Sequence, residues 1–132
     1  AAGAAYAIPS KTVTLITGDI SFLYDSNALW NKQLPNNLRI IVINNSGGGI
    51  FRFLKGSSEI AEMEEFFETG HNINLGKLAE SYGISYEFCS ELNSLKSCLA
   101  KLFKNKSVSI LEIKTPSVYS AESLKKYFNF IR

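Results

Sequence analysis

At 132 residues, with 45% hydrophobic and 20% charged residues, the chain has the size and make-up of one globular domain and not of a disordered tail. Fourteen Lys and Arg against twelve Asp and Glu leave a net charge of +2, too little for the salt-dependent phosphate attraction of a nucleic-acid binder. No apolar run approaches the roughly 18 to 20 residues that span a bilayer, and the Ala-rich start lacks the basic residues of a secretory signal, so a cytoplasmic protein without a membrane span is expected.

Ala1 to Ile8 carry no N-cap and no polar face, and they read as the middle or end of a buried helix. An N-terminally truncated chain is therefore expected, with residues 1–132 forming the later part of a domain. Pro9, Ser10 and Lys11 break the pattern, and Thr12 to Thr17 follow as a β-branched run that predicts a buried strand. Phe22, Leu23, Ala28 and Leu29 recur at helical spacing up to about Leu34, and Pro35-Asn36-Asn37 marks a turn. Leu38 to Ile43 is a second apolar strand, which Asn44 to Gly49 cannot continue because three consecutive glycines supply no side-chain packing. Helices are predicted over Glu59 to Phe67, Asn74 to Tyr82, Glu91 to Phe103 and Ala121 to Ile131, with strands over Ile84 to Phe88 and Val108 to Ile113. Cys89 and Cys98 have neither metal-ligand spacing nor a His neighbour and are expected as buried thiols.

Apolar strands separated by helices predict an α/β fold, a parallel sheet with helices on both faces. Ligands of such sheets bind beyond the carboxyl ends of the strands, so the residues that directly follow each strand matter most. Gly18-Asp19 follows the first strand and Asn44-Asn45 the second, one crossover apart. A carboxylate, an amide oxygen and a carbonyl of the glycine loop are oxygen ligands for a hard cation that also holds phosphate oxygens, as magnesium does. A Gly-Asp turn and a plain surface loop remain the simpler reading of that spacing.

The pair Gly18-Asp19 and Asn44-Asn45 resembles the GDG…NN motif of thiamin-diphosphate enzymes, with Ile20 in place of the third glycine. The longer stretches Thr17 to Leu29 (TGDISFLYDSNAL) and Val42 to Phe51 (VINNSGGGIF) resemble the 2-succinyl-5-enolpyruvyl-6-hydroxy-3-cyclohexene-1-carboxylate synthase family of menaquinone biosynthesis, in which a hydrophobic residue after the aspartate is common. The resemblance weakens after about Tyr82. It implies the diphosphate-binding domain of a homo-oligomeric enzyme that uses thiamin diphosphate and magnesium, or manganese in its place, to decarboxylate 2-oxoglutarate and add the succinyl-semialdehyde unit to isochorismate. It also implies that Asp19 and Asn45 bind the metal through side chains and Gly47 through its carbonyl, that Ile20 and Ser21 lie beside the diphosphate, and that Ile50, Phe51 and Leu54 form an apolar patch near the isochorismate ring. The carboxylate that activates the cofactor and the arginines that bind substrate carboxylates are implied to come from other domains of the polypeptide or its partner subunit, so no catalytic residue is assigned and the chain alone is expected to be inactive.

Two alternatives stay open: another thiamin-diphosphate decarboxylase or carboligase, and a noncatalytic phosphate-binding module of flavodoxin-like fold. His71, the single histidine, is expected to stabilise its loop, and the acidic run Glu59, Glu62, Glu64, Glu65 and Glu68 to form a solvated face.

Overall fold

Four strands, β1 (Val13–Gly18), β2 (Leu38–Asn44), β3 (Ser85–Cys89) and β4 (Ser109–Lys114), make one parallel sheet in the order β1-β2-β4-β3. The computed structural model describes residues 1–53 and 62–131. Among the described residues, six α-helices accompany the strands: α1 (Ala2–Ala7), α2 (Asp19–Asp25), α3 (Ile50–Phe53), α4 (Leu75–Ser81), α5 (Leu92–Lys104) and α6 (Ser117–Phe130).

The alternation of side chains along a strand divides the core into two clusters. Ile40, Val42 and Ile110 point to one face, where Ala5 of α1, Phe22 of α2 and Leu75 and Ala79 of α4 cover them. Ile41 and Leu111 point to the other, against Cys98 and Leu102 of α5, with Cys89 at the end of β3. Both thiols are free and buried, as expected. β2 and β4 are thus covered on both faces, whereas β1, at the edge, is covered on one only: Thr14 and Ile16 alternate outward, and Ile16 is 67% exposed.

In this chain the opening helix buries Ala5 and leaves Tyr6 and Ile8 exposed. Two expectations are corrected. The crossover helix does not run on to Leu34: α2 ends at Asp25 and tightens into a 3-10 turn over Ser26–Trp30, where the Ser26 hydroxyl donates to the Leu23 carbonyl at 2.9 Å. The last helix begins four residues before the expected Ala121, since Pro116 caps it from outside, where its fixed φ and missing N–H cost nothing. Of the helix predicted over Glu59 to Phe67, the described part is one π-helical turn, Met63–Phe67, and residues 59–61 lie outside the described residues. No helix among the described residues is long and apolar enough to cross a membrane.

Candidate functional site

Register decides what meets at the strand ends. Gly18 pairs with Ile43 across β1 and β2, and Asn44 pairs with Lys114 across β2 and β4, so Asp19, Asn45 and Thr115 leave the sheet at one edge. A cavity of about 360 Å³ opens there, lined by Asp19, Ile20, Ser21, Asn45, Gly47 and Ile50 among others. Six of the eight residues singled out from the sequence therefore share one cavity. Phe51 turns away from it and meets Phe67 edge to face, with ring centroids 5.6 Å apart, and Leu54 lies outside the described residues.

Asp19 opens α2, yet it is only 2% exposed. A carboxylate so buried needs partners, and Oδ2 accepts from the Gly47 N–H at 2.9 Å and from His71 Nε2 at 3.0 Å. The His71 tautomer follows from its other nitrogen, Nδ1, which accepts from the Ile73 N–H at 3.2 Å; the proton therefore sits on Nε2 and points at Asp19. His71 does more than stabilise its own loop.

The second oxygen of Asp19 faces the Asn45 amide. Turned so that both its ends are satisfied, the amide accepts from the Gly49 N–H at 3.3 Å and donates to the Gly47 carbonyl at 2.8 Å and to Asp19 Oδ1 at 3.2 Å. Rotated by half a turn, the same amide would place its oxygen there and gather three oxygens, from Asp19, Asn45 and Gly47. Neighbouring ligands in a magnesium octahedron of about 2.1 Å bonds lie about 3.0 Å apart, and around calcium's longer bonds about 3.4 Å. Separations of 2.8 and 3.2 Å bracket the magnesium value. The donor set fits a small hard cation.

The backbone of the loop is tightly constrained. A Cβ on Gly47 would meet the Glu68 carbonyl oxygen at 2.7 Å and its Cγ at 2.9 Å, so this position has no room for a side chain. Ser46 takes a left-handed φ of 66°, which a non-glycine residue adopts only when held. Its N–H donates to Asn44 Oδ1 at 2.8 Å, Lys114 Nζ reaches its hydroxyl, and its carbonyl accepts from the His71 N–H at 3.2 Å.

Glu68, Asn44 and Glu112 have roles in this region that the sequence does not assign to them. Glu68 is a correction to the solvated acidic face: Glu62 and Glu65 are exposed, but Glu68 is 6% exposed and pairs with Arg52. Asn44 and Glu112 are buried beneath the loop, where Asn44 Nδ2 donates to Glu112 Oε1 at 2.7 Å and the Tyr86 hydroxyl to Oε2 at 2.6 Å. A charged residue inside an otherwise apolar strand was the available signal for Glu112. Asp25 and Asn27, by contrast, are exposed beside a separate cleft.

Residues 1–113 match the family described as thiamine pyrophosphate enzyme, C-terminal TPP binding domain. Relatives named 2-succinyl-5-enolpyruvyl-6-hydroxy-3-cyclohexene-1-carboxylate synthase are similar over nearly the whole chain: that of Flavobacterium johnsoniae is 48% identical over 89% of it, that of Flavobacterium psychrophilum 45% over 97%, and that of Cytophaga hutchinsonii 44% over 89%. The chain spans 21 to 23% of these relatives' lengths. Among solved structures, the thiamine diphosphate-dependent 4-hydroxybenzoylformate decarboxylase of Rhodococcus jostii superposes with a TM-score of 0.72 and 27% identity over 88% of this chain and 22% of that one.

Proposed function

Because this chain belongs to the thiamine pyrophosphate enzymes, through their C-terminal TPP binding domain, we propose that it supplies the cation- and diphosphate-binding part of a 2-succinyl-5-enolpyruvyl-6-hydroxy-3-cyclohexene-1-carboxylate synthase. The observation that carries this reading is the convergence of Asp19, the Asn45 amide and the Gly47 carbonyl at the cavity mouth. Asp19 and Asn45 hold magnesium with the Gly47 carbonyl, and Ile20 and Ser21, in the first turn of α2, line the cavity beside the diphosphate. Bound there, thiamin diphosphate supplies the electron sink for decarboxylating a 2-oxo acid and passing the remaining acyl unit to an acceptor.

The chain's own residues contribute placement. His71 and the Gly47 N–H fix Asp19 Oδ2, which leaves Oδ1 for the cation, and the Asn45 amide, with its oxygen inward, would be the second side-chain ligand. Ile50 gives the cavity an apolar wall for the ring of isochorismate. A carboxylate to activate the cofactor comes from other domains or a second subunit of a homo-oligomer, so these 132 residues alone are inactive.

In the full-length protein, 2-oxoglutarate and isochorismate are expected to be consumed together, with carbon dioxide released, only when thiamin diphosphate and magnesium or manganese are both present. Turnover of a different 2-oxo acid, with isochorismate refused, would assign another decarboxylase or carboligase. Diphosphate binding that ignores chelation of the metal would defeat the cation site.

A further inference from the structure

We propose that Arg52 and Glu68 form a positioning clasp for the cation-binding loop, and that Arg52 is not a receptor for a substrate carboxylate; this rests on the cofactor reading above. Arg52 sits on α3 two residues after Ile50, which lines the cavity, and substrates rich in carboxylates make an arginine at that place the obvious anion partner. The geometry commits its guanidinium elsewhere. Nε donates to Glu68 Oε1 at 2.8 Å and Nη2 to Oε2 at 2.5 Å, a two-pronged pair with side chains 20% and 8% exposed.

Glu68 in turn touches the loop itself. Its carbonyl accepts from the Gly48 N–H at 2.6 Å, and its backbone and Cγ fill the space over Gly47, the residue whose carbonyl is offered to the cation. Beyond it the chain turns at Thr69, with a φ of 45°, and reaches His71, which bonds Ser46 through its N–H and Asp19 through Nε2. Residues 68–71 are therefore a strap laid against Asp19, Ser46, Gly47 and Gly48, and Arg52 ties that strap to α3. Loss of Arg52 removes both prongs of the pair from a buried carboxylate, which favours turning it toward water. That movement carries the strap away from Gly47 and loosens Asp19.

The test uses the full-length protein and two readouts: magnesium affinity, by calorimetric titration at saturating thiamin diphosphate, and KM against kcat at saturating magnesium. Arg52→Ala is expected to weaken magnesium binding about tenfold or more, as loss of a group that orients metal ligands does, while each substrate KM stays within about twofold of wild type. Arg52→Lys keeps the charge but loses the fork, and its affinity should fall between the two; it also serves if the alanine variant does not fold. The exchange Arg52→Glu with Glu68→Arg should bind magnesium more tightly than either single change. A large rise in a carboxylate substrate's KM with magnesium affinity unchanged would overturn the clasp, because Arg52 would then meet substrate. An exchange that recovers nothing would overturn it too. Failure of the wild-type protein to bind thiamin diphosphate with magnesium would instead refute the cofactor reading, an outcome visible before any variant is made.

Discussion

Asp19→Ala in the full-length protein is expected to remove magnesium-dependent binding of thiamin diphosphate, with an affinity loss of at least about a hundredfold, or about 2.7 kcal/mol. The carboxylate is the one formal negative charge in the proposed ligand set, and the two remaining ligands are a neutral amide and a neutral carbonyl. Its removal also frees the Gly47 N–H and His71 Nε2, which together hold the loop against α2. Calorimetric titration with and without chelator measures the effect. Asp25→Ala, at an exposed carboxylate six residues on, is the control and should bind as wild type does. His71→Ala removes one of the two donors to Oδ2 and leaves the charge, so about a tenfold loss is expected. Unchanged binding by Asp19→Ala would dismiss the site.

Glu112→Ala should act on stability and not on the ligand. Glu112 lies in the middle of the sheet, 6% exposed, with each carboxylate oxygen taken by one donor, Asn44 Nδ2 or the Tyr86 hydroxyl. Truncation strands both donors and leaves a void, and each stranded donor costs about 1 to 3 kcal/mol. Thermal unfolding of the cofactor-free protein should show a matching fall in the midpoint. Tyr86 extends the prediction to pH. Burial first, and then the hydrogen bond and negative charge of Glu112, raise the phenol well above its ordinary value near 10. The native state thus favours the neutral phenol, and the stability that Tyr86 contributes is complete below pH 10 and is lost as pH climbs from there toward the raised value. Tyr86→Phe should therefore flatten the decline in stability above pH 10; an alkaline limb identical to wild type would show that the Tyr86–Glu112 bond does not carry it.

The frame of this fold is legible in the residues because it rests on periodicity. The short, mostly apolar runs at Leu38 to Ile43 and Val108 to Ile113, bounded by turn residues, read as strands buried on both faces, and parallel pairing then sends Asp19 and Asn45 to one edge. Ile20, Ser21, Gly47 and Ile50 join them by adjacency. What stayed hidden depends on contacts between segments far apart in the chain. Glu68 belongs by spacing to an acidic face, and only the return of residues 67–71 beneath the glycine loop buries it against Arg52. His71 stands 52 residues from Asp19, and nothing local to either announces their bond. Phe51, read as part of a substrate-facing patch, packs on Phe67 because the turn at Met63–Phe67 brings that ring alongside. Element ends were misplaced where a competing local preference acted, as at Ser26, whose hydroxyl bonds back to Leu23 and ends the regular helix.

The two adjacent asparagines divide their work because consecutive residues at the end of a strand face opposite ways. Asn45 turns to the cavity, while Asn44 turns to the core, where it bonds Glu112 through Nδ2 and the Ser46 N–H through Oδ1, and its own carbonyl accepts from the Thr115 N–H at 2.8 Å. A growth screen that scores only survival would rank both positions as indispensable and so conceal two unlike defects. On the proposed cation site, lesions at Asn45 are expected to be defects of the reaction, equally severe in cold and warmth. Lesions at Asn44 are defects of the scaffold, conditional on temperature, and open to second-site suppressors anywhere in the core that restore the lost stability.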